Sequence, residues 1–562
     1  MKPALCLSLC AAAVVIAQTA VDNKAVLAEL QNIAALPGEP QAISAGGVTR
    51  SEQSLYTIEN PNPFSASEQR RVVIVGGLDG DVRGAEAAIG AVAWFKTKAP
   101  ASVRRDWAVS ALPFADPDQH ARARGFQFPP QKGFFDDAEQ PESRYVWRWV
   151  NFQAPDLVVE IRGGGSMTWQ GSGLPSLKGS GAPRDSLAAA ISTGSDLGAP
   201  APALVVTAGA ADGPQLLQKA LAAASALRRS PLHAALAARV ARKPLEIARV
   251  QAQKYPQTPI VSYIPSVAWT NTLRLAAVTN DPALRAKVLE QTGPWLSGKQ
   301  PLFGERIALT AAAGTMIYAE LAQAGVESAR ALAVQGAEAA AKIGPNGIAQ
   351  YGQGWTDDMF MTAAILARSG KMPGREGDLD RAANLLISYA GRLQRDDGIF
   401  THFTDGQRPT WGRGNGFAAL GLMEVLTSLP AAHPARAKVM AIYLRQMHGL
   451  KPMQAPDGTW RQVIDEPGSY REESATAMVL AAMARGLRLG WLDKSFAPVI
   501  DRAWRALAAH ITEDGAIVDI CTGTGAGPTR RYYFDRAAID GPDDRGGAMA
   551  LLASMEMMET TK

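Results

Sequence analysis

The chain is 562 residues long, 47% hydrophobic and 20% charged, with 57 Lys+Arg against 53 Asp+Glu for a formal charge of +4. So small a cationic surplus builds no basic stripe for nucleic acid, and the ordinary mixture of apolar and charged residues excludes a disordered chain. Three cysteines exclude a disulfide scaffold, and six histidines leave little material for a His-rich metal centre, so no metal or other cofactor is expected.

In chain order, residues 1–17 read as a signal peptide, with cleavage placed between 17 and 20. Lys2 supplies the positive region, Leu5 to Ile16 the apolar run, and Val15 and Ala17 the cleavage pattern. Leu7-Ser8-Leu9 ahead of Cys10 lacks the small residue that precedes a lipidated cysteine. Cys6 and Cys10 leave with the signal, so Cys521 stands alone in the mature chain. No later run reaches the roughly 18 apolar residues of a membrane span, and the expectation is an exported protein, periplasmic or secreted.

Residues 21–245 read as an α/β domain. Val72-Val73-Ile74-Val75 and Leu157-Val158-Val159-Glu160-Ile161 are continuous β-rich runs, each closing on glycines, with Ala-rich helical stretches between them. Runs of this kind predict a buried, largely parallel sheet. The Gly-, Ser- and Pro-dense stretch from Gly164 to Pro202 predicts a long surface loop, and Pro214 to Arg249 a helical exit from the domain.

Residues 246–562 are helical with a period. Asn346-Gly347, Asp397-Gly398, Asp457-Gly458 and Asp514-Gly515 head four similar loops, their glycines 51, 60 and 57 residues apart. Amphipathic stretches such as Leu379 to Leu393, Ala418 to Leu426, Ala475 to Leu489 and Ala497 to Ile511 fill the intervals. One helical hairpin per period, six times over, predicts an (α/α)6 toroid with its loops on one face. Aromatic and polar residues gather in those loops: Trp355-Thr356-Asp357-Asp358, Phe400-Thr401-His402, Trp411-Gly412-Arg413 and, later, Tyr532-Tyr533. Indole faces stack on sugar rings, arginine grips a uronate, and an aspartate at a helix head supplies acid or base. Blander roles compete at each position. Asp357 or Asp358 can cap a helix, Trp355 and Trp411 can be core, Arg413 can make a structural ion pair, and His402 a structural hydrogen bond.

The ordered runs WTDDMFM, DGIFTHF, WGRGNGF, DGTWRQVIDEP, ESATAMVLA, GTGAG, YYFDR and DDRGGAMALLA resemble the unsaturated glucuronyl and rhamnogalacturonyl hydrolases of glycoside hydrolase families 105 and 88. The resemblance covers roughly residues 265–560. It implies an (α/α)6 barrel acting on an acidic oligosaccharide with a 4,5-unsaturated uronic acid at its non-reducing end. It implies that Asp357 is the general acid and base, that His402, Trp411 and Arg413 contact substrate with Arg413 facing the uronate, and that Phe417 stands where the family commonly has Trp. Trp355 joins the substrate-binding set. The family's second carboxylate is not evident, with Glu305 a loose match. A saturated uronidase on the same fold, or a non-catalytic glycan-binding protein, are the alternatives. Asp535, Arg536 and Asp543 to Arg545 read as network residues.

The N-terminal runs IVGGLDGD, ALPFADPD, FPPQKGFFDDAEQPESRYVWRWV and APDLVVEIRGGG resemble the zinc carboxypeptidases of peptidase family 14. Asp79, Val82 and Arg162 occupy the positions of the metal ligands, which implies a domain without zinc. His120 and His233 have no second ligand at a zinc-like spacing. A non-catalytic scaffold or cleft wall is the expectation.

Overall fold

The computed structural model describes residues 23–39, 41–65, 67–119, 125–130, 141–172, 174 and 181–560. The signal segment, His120 and residues 131–140 of the longest N-terminal motif lie outside that set.

Seven strands form the N-terminal sheet: β1 (Ala42–Val48), β2 (Ser54–Glu59), β3 (Arg70–Gly76), β4 (Trp107–Leu112), β5 (Leu157–Gly163), β6 (Thr168–Ser172) and β7 (Ala203–Ala208). Their order is β1-β2-β4-β3-β5-β7-β6. β4, β3, β5 and β7 run parallel, while β1, β2 and β6 pair antiparallel at the two edges. The sheet is therefore mixed. The apolar runs of β3 and β5 are buried on both faces, which is why they carry no alternation. The stretch from Gly164 to Pro202, expected as loop, contains β6 and the helix Leu187–Thr193. Ser186 caps that helix by accepting from the Ala189 N–H, and β6 is held by its ladder with β7 rather than by composition. The helical exit breaks into three pieces, Gly213–Ala223, Pro231–Val240 and Pro244–Lys254. Pro lies in the first turn of each, where its missing N–H costs nothing.

The rest closes into a ring. Six inner helices, Tyr263–Thr279, Met316–Gln323, Thr356–Ser369, Gly412–Ser428, Glu473–Arg488 and Asp544–Thr560, each touch the next, and the last touches the first. Their outer partners are Pro282–Leu296, Ser328–Ala340, Gly377–Leu393, Arg436–Leu450 and Ala497–His510, with Pro244–Lys254 packed on Asp544–Thr560 to complete the sixth pair. The ring is thus sealed by the two ends of the domain. The recurring glycines have a common cause. Gly398 and Gly458 close tight turns, donating to the Arg395 and Ala455 carbonyls, at φ of 94° and 104°. A Cβ at Gly398 would lie 2.1 Å from the Arg445 carbonyl oxygen and one at Gly458 2.3 Å from that of Arg502, so no larger residue fits.

The sheet domain and the ring share a buried polar seam. Arg471 bridges Glu59 and Asp457, each at 2.8 Å, Arg148 reaches Asp519 at 3.2 Å, and the Phe152 ring stacks on His510 at 3.9 Å. Burial pushes the His510 imidazole down to about 4, so it sits neutral in this contact.

Candidate active site

The proposed site residues stand at the N-terminal ends of neighbouring inner helices. Trp355 immediately precedes helix Thr356–Ser369, and Asp357 is the second residue of that helix. Trp411 precedes helix Gly412–Ser428, and Arg413 is its second residue. His402 comes from the intervening loop, where its carbonyl accepts from the Thr356 N–H at 3.1 Å.

Three of these residues converge on His402. Its Nε2 is 3.0 Å from Asp357 Oδ2, and its ring centroid lies 4.6 Å from that of Trp411 and 5.3 Å from that of Trp355. His402 itself is 0% exposed, whereas the Asp357 side chain keeps 17% of its surface open. The other imidazole nitrogen, Nδ1, is 2.6 Å from Tyr533 Oη, which already accepts from the Gly527 N–H. In the neutral ring, the Tyr533 proton goes to Nδ1, leaving Nε2–H to donate to Asp357. The result is a chain from Tyr533 through His402 to a single accessible carboxylate.

Asp358 has different work. It is 2% exposed, and its Oδ2 accepts from the Gln353 and Gly354 N–H groups at 3.0 and 2.7 Å and from Tyr389 Oη at 2.6 Å. It ties the loop before the helix to the outer helix Gly377–Leu393. Burial first, with the charge of Asp357 adding to it, pushes the Asp358 carboxyl up to about 6.

Arg413 is 3% exposed. Its two terminal nitrogens donate to the carbonyls of Cys521 and Thr522 at 2.5 and 2.7 Å, and its guanidinium stacks 4.6 Å from the Trp411 ring centre. Nε is buried with no hydrogen-bond partner. As placed, Arg413 anchors the 521–522 segment against Trp411. Phe417 is 0% exposed and lies behind the site, its ring 6.3 Å from Trp411, 6.0 Å from Phe360 and 5.6 Å from Tyr263. It shapes the wall without presenting accessible surface. Glu305 is exposed in the loop ahead of helix Leu309–Ala313.

The sequence does not single out Tyr263, and it marks Tyr533 only as one of the loop aromatics and Arg545 only as a network residue. Tyr263 opens the first inner helix, and burial pushes its hydroxyl up to about 12, with Arg413, Asp357 and Arg545 all within electrostatic range. Arg545 keeps a quarter of its side chain open and pairs with Asp543 at 2.8 Å, its guanidinium beside Gly523. YYFDR and DDRGG were the only signals, and neither reveals which residue faces inward.

In the N-terminal domain, Asp79 accepts from the Gly163 and Asp81 N–H groups at 3.0 and 3.2 Å. Arg162 pairs with Glu160 at 2.7 Å, and Val82 opens helix Val82–Thr97. His233 Nδ1 lies 2.9 Å from Asp156. Among the described residues no group of three or more His, Cys, Asp or Glu is arranged to hold a metal.

The sequence pattern of Glycosyl Hydrolase Family 88 matches residues 241–561, more than half of the chain. The chain belongs to this family. Among curated relatives, it is similar to an unsaturated 3S-rhamnoglycuronyl hydrolase of Alteromonas sp. (strain LOR), 29% identical over 175 residues, which are 29% of this chain and 42% of that one. It is also 26% identical to the unsaturated rhamnogalacturonyl hydrolase YesR of Bacillus subtilis (strain 168) over 181 residues, 31% of this chain and 50% of the relative. The chain thus spans about half the length of these curated relatives. Among solved structures, a family 105 glycoside hydrolase from C. acetobutylicum ATCC 824 superposes with a TM-score of 0.51 at 20% identity, covering 55% of this chain and 99% of that one. That likeness places the family 88 ring of this chain among α/α toroids.

Proposed function

We propose that this protein is an exported glycoside hydrolase that removes a 4,5-unsaturated uronic acid from the non-reducing end of lyase-generated acidic oligosaccharides. The observation that carries the reading is the Asp357 carboxylate, partly open at the head of an inner helix and fixed by His402. Family membership and the activities named for the two relatives, an unsaturated 3S-rhamnoglycuronyl and an unsaturated rhamnogalacturonyl hydrolase, support it.

The chemistry is hydration of a vinyl ether. Asp357 gives its proton to C4, the positive charge settles between C5 and the ring oxygen, and water adds at C5 as Asp357 takes back a proton. The hemiketal formed at C5 opens to a ketone and leaves a hemiacetal at C1, which collapses to an aldehyde as its C1–O bond breaks and the remaining sugar departs as an alcohol. His402 holds the carboxylate in place through both steps, Trp355 supplies indole surface for the ring, and Trp411, 1% exposed, backs His402 from behind. Arg413, engaged with the carbonyls of Cys521 and Thr522 beneath Trp411, contributes positive charge toward the uronate rather than a free donor.

The test is loss of the ultraviolet absorbance of the conjugated C4–C5 double bond on incubation with pectic, ulvan-like and glycosaminoglycan lyase products. Unchanged absorbance across the panel overturns the reading. Release from a saturated glucuronide alone makes the protein a saturated uronidase, and binding without turnover makes it a glycan-binding protein.

The N-terminal domain, read as carboxypeptidase-like, serves in this proposal as a non-catalytic wall. Asp79 and Arg162 are spent on Gly163 and Glu160 rather than left to meet a metal. Stoichiometric zinc in the purified full chain would refute that role. A mature N-terminus after residues 17–20 in an exported fraction checks the signal peptide.

A further inference from the structure

Where the sheet domain meets the ring there is a cavity of about 430 Å³, lined by none of the residues placed around Asp357. Four pieces of chain build it: Pro63 to Ser65 with Ser67 and Arg71, the turn at Ala154, the connecting helix Pro231–Val240 with its flanks, and the outer helix Ala497–His510. We propose that this seam cavity is a second binding site, taking one sugar residue that carries a carboxylate or a sulfate.

Charge is the first reason. Five cations line it, Arg71, Arg229, Arg242, Lys243 and Arg505, against one carboxylate, Asp501, which Arg505 already engages at 3.0 Å. These cations are not equivalent. Arg242 donates to the carbonyls of Ala508 and Thr512 at 2.8 and 2.9 Å, closing the end of the outer helix, so it contributes charge rather than a free donor. Arg71 is 5% exposed, and its Nε is buried with no hydrogen-bond partner. An unmatched donor on a buried guanidinium is costly in a protein interior, and an anion is the partner that would satisfy it. Burial, with Arg229 adding to it and Asp156 opposing it, pushes the Arg71 guanidinium down to about 10. Arg229, which donates to the Ser67 carbonyl and pairs loosely with the exposed Glu68 at 3.5 Å, and the exposed Lys243 stand nearer solvent and meet an incoming anion first.

The second reason is the walls. Trp504, Phe64, Leu236 and Val240 line the same space, which is too large and too apolar for an inorganic anion alone. Its volume falls within the roughly 300–1,000 Å³ of small-molecule sites. An acidic sugar presents what these walls ask for, C–H surface toward an indole and one negative group toward arginine. The site does not depend on the proposed catalysis, because no residue of it takes part there.

The experiment titrates the full chain with a saturated uronate disaccharide, a sulfated neutral disaccharide and inorganic phosphate, following heat and tryptophan fluorescence. Binding of at least one saccharide is expected at millimolar concentration or below. The disaccharide that binds tells whether carboxylate or sulfate is the preferred anion. The double substitution Arg229→Glu with Lys243→Glu is expected to weaken binding by about 10-fold or more, in keeping with charge-assisted contacts. It should leave thermal unfolding and turnover of a short unsaturated substrate unchanged. Trp504→Phe, which keeps an aromatic wall, is expected to weaken the saccharide less than the charge reversal does. No saccharide binding, binding indifferent to the charge reversal, or phosphate binding as tight as the saccharide would each overturn the proposal. If the absorbance assay fails while this titration succeeds, the catalytic reading falls and the seam site stands.

Discussion

The two ends of the inner ring are built from the same kinds of residue to opposite effect. At the C-terminal ends, Arg274, Arg368, Arg485 and Arg488 interlock with Glu320, Glu424, Glu556 and Glu559, four charges against four. Glu556 is wholly buried and is held by three of those arginines. At the N-terminal ends, Asp357 has one partner, His402, and part of its surface remains open. A fully satisfied network fixes the geometry of the floor, while an incompletely satisfied carboxylate is available to exchange a proton. Position in the ring, rather than residue type, separates scaffold from chemistry.

The largest expected effect lies at the open end. Asp357→Asn should lower turnover of unsaturated oligosaccharides by roughly 100 to 10,000-fold, the usual worth of a positioned acid and base, with little change in thermal unfolding. Retained turnover in a folded variant would remove Asp357 from the mechanism. The matching change at the floor is Arg485→Met. It should cost about 3 kcal/mol in denaturant unfolding, because Glu556 loses a buried partner, while the folded fraction keeps its turnover. A large loss of turnover there would mean that the two ends are coupled.

Acid should also find the floor first. Burial pushes the Glu556 carboxyl upward, but Arg485 and Arg274 outweigh it and hold the group down at about 2 against an ordinary 4.5. A depressed carboxyl stabilises the fold at every pH above its ordinary range, and that contribution is lost as pH falls through the window from about 4.5 to about 2. Unfolding midpoints measured across this window should fall less steeply in Glu556→Gln than in the parent protein.

Much of this contrast was legible before any coordinates, and the reasons differ by residue. Gly398 and Gly458 betray the repeat because a left-handed turn pressed against a neighbouring carbonyl admits nothing else. Asp357, His402 and Trp411 lie within 55 residues, on two consecutive inner-helix starts and the loop between them, so one stretch of sequence carries them together. Tyr533 reaches His402 from 131 residues away, and no local pattern encodes such a meeting. The burial of Arg413 and Phe417 was equally hidden, since a helix start gives no sign of how deep it will sit. Nothing local to Arg274, Arg368, Arg485 or Arg488 marks them as partners of carboxylates on neighbouring helices. β6 was lost in a Gly- and Ser-rich stretch because its stability comes from β7.

A smaller effect belongs to the residue the sequence underplayed. Tyr533→Phe removes the hydroxyl between Gly527 and His402 Nδ1 while keeping the ring that packs near Trp411. A hydrogen bond of net worth near 1 kcal/mol, expressed in the transition state, corresponds to a loss of roughly 5- to 10-fold. The loss should appear in kcat with KM nearly unchanged, together with a shifted pH–rate profile. An unchanged profile would make Tyr533 a packing residue only.

The smallest effect is expected one residue from the largest. Asp358→Asn keeps an oxygen for the Gln353 and Gly354 N–H groups and for Tyr389, so stability near neutral pH should change by about 1 kcal/mol or less. The sign of its pH dependence is opposite to that of Glu556. A carboxyl raised to about 6 by burial stabilises the fold fully below its ordinary 3.8, and that contribution is lost as pH rises through about 6. Asn does not titrate, so the variant should lose this part of the slope while turnover stays within a few-fold of the parent, the loop it ties being intact. A 100-fold fall in turnover from Asp358→Asn, alongside a mild Asp357→Asn, would exchange the roles of the two aspartates and place the reacting proton on the buried one.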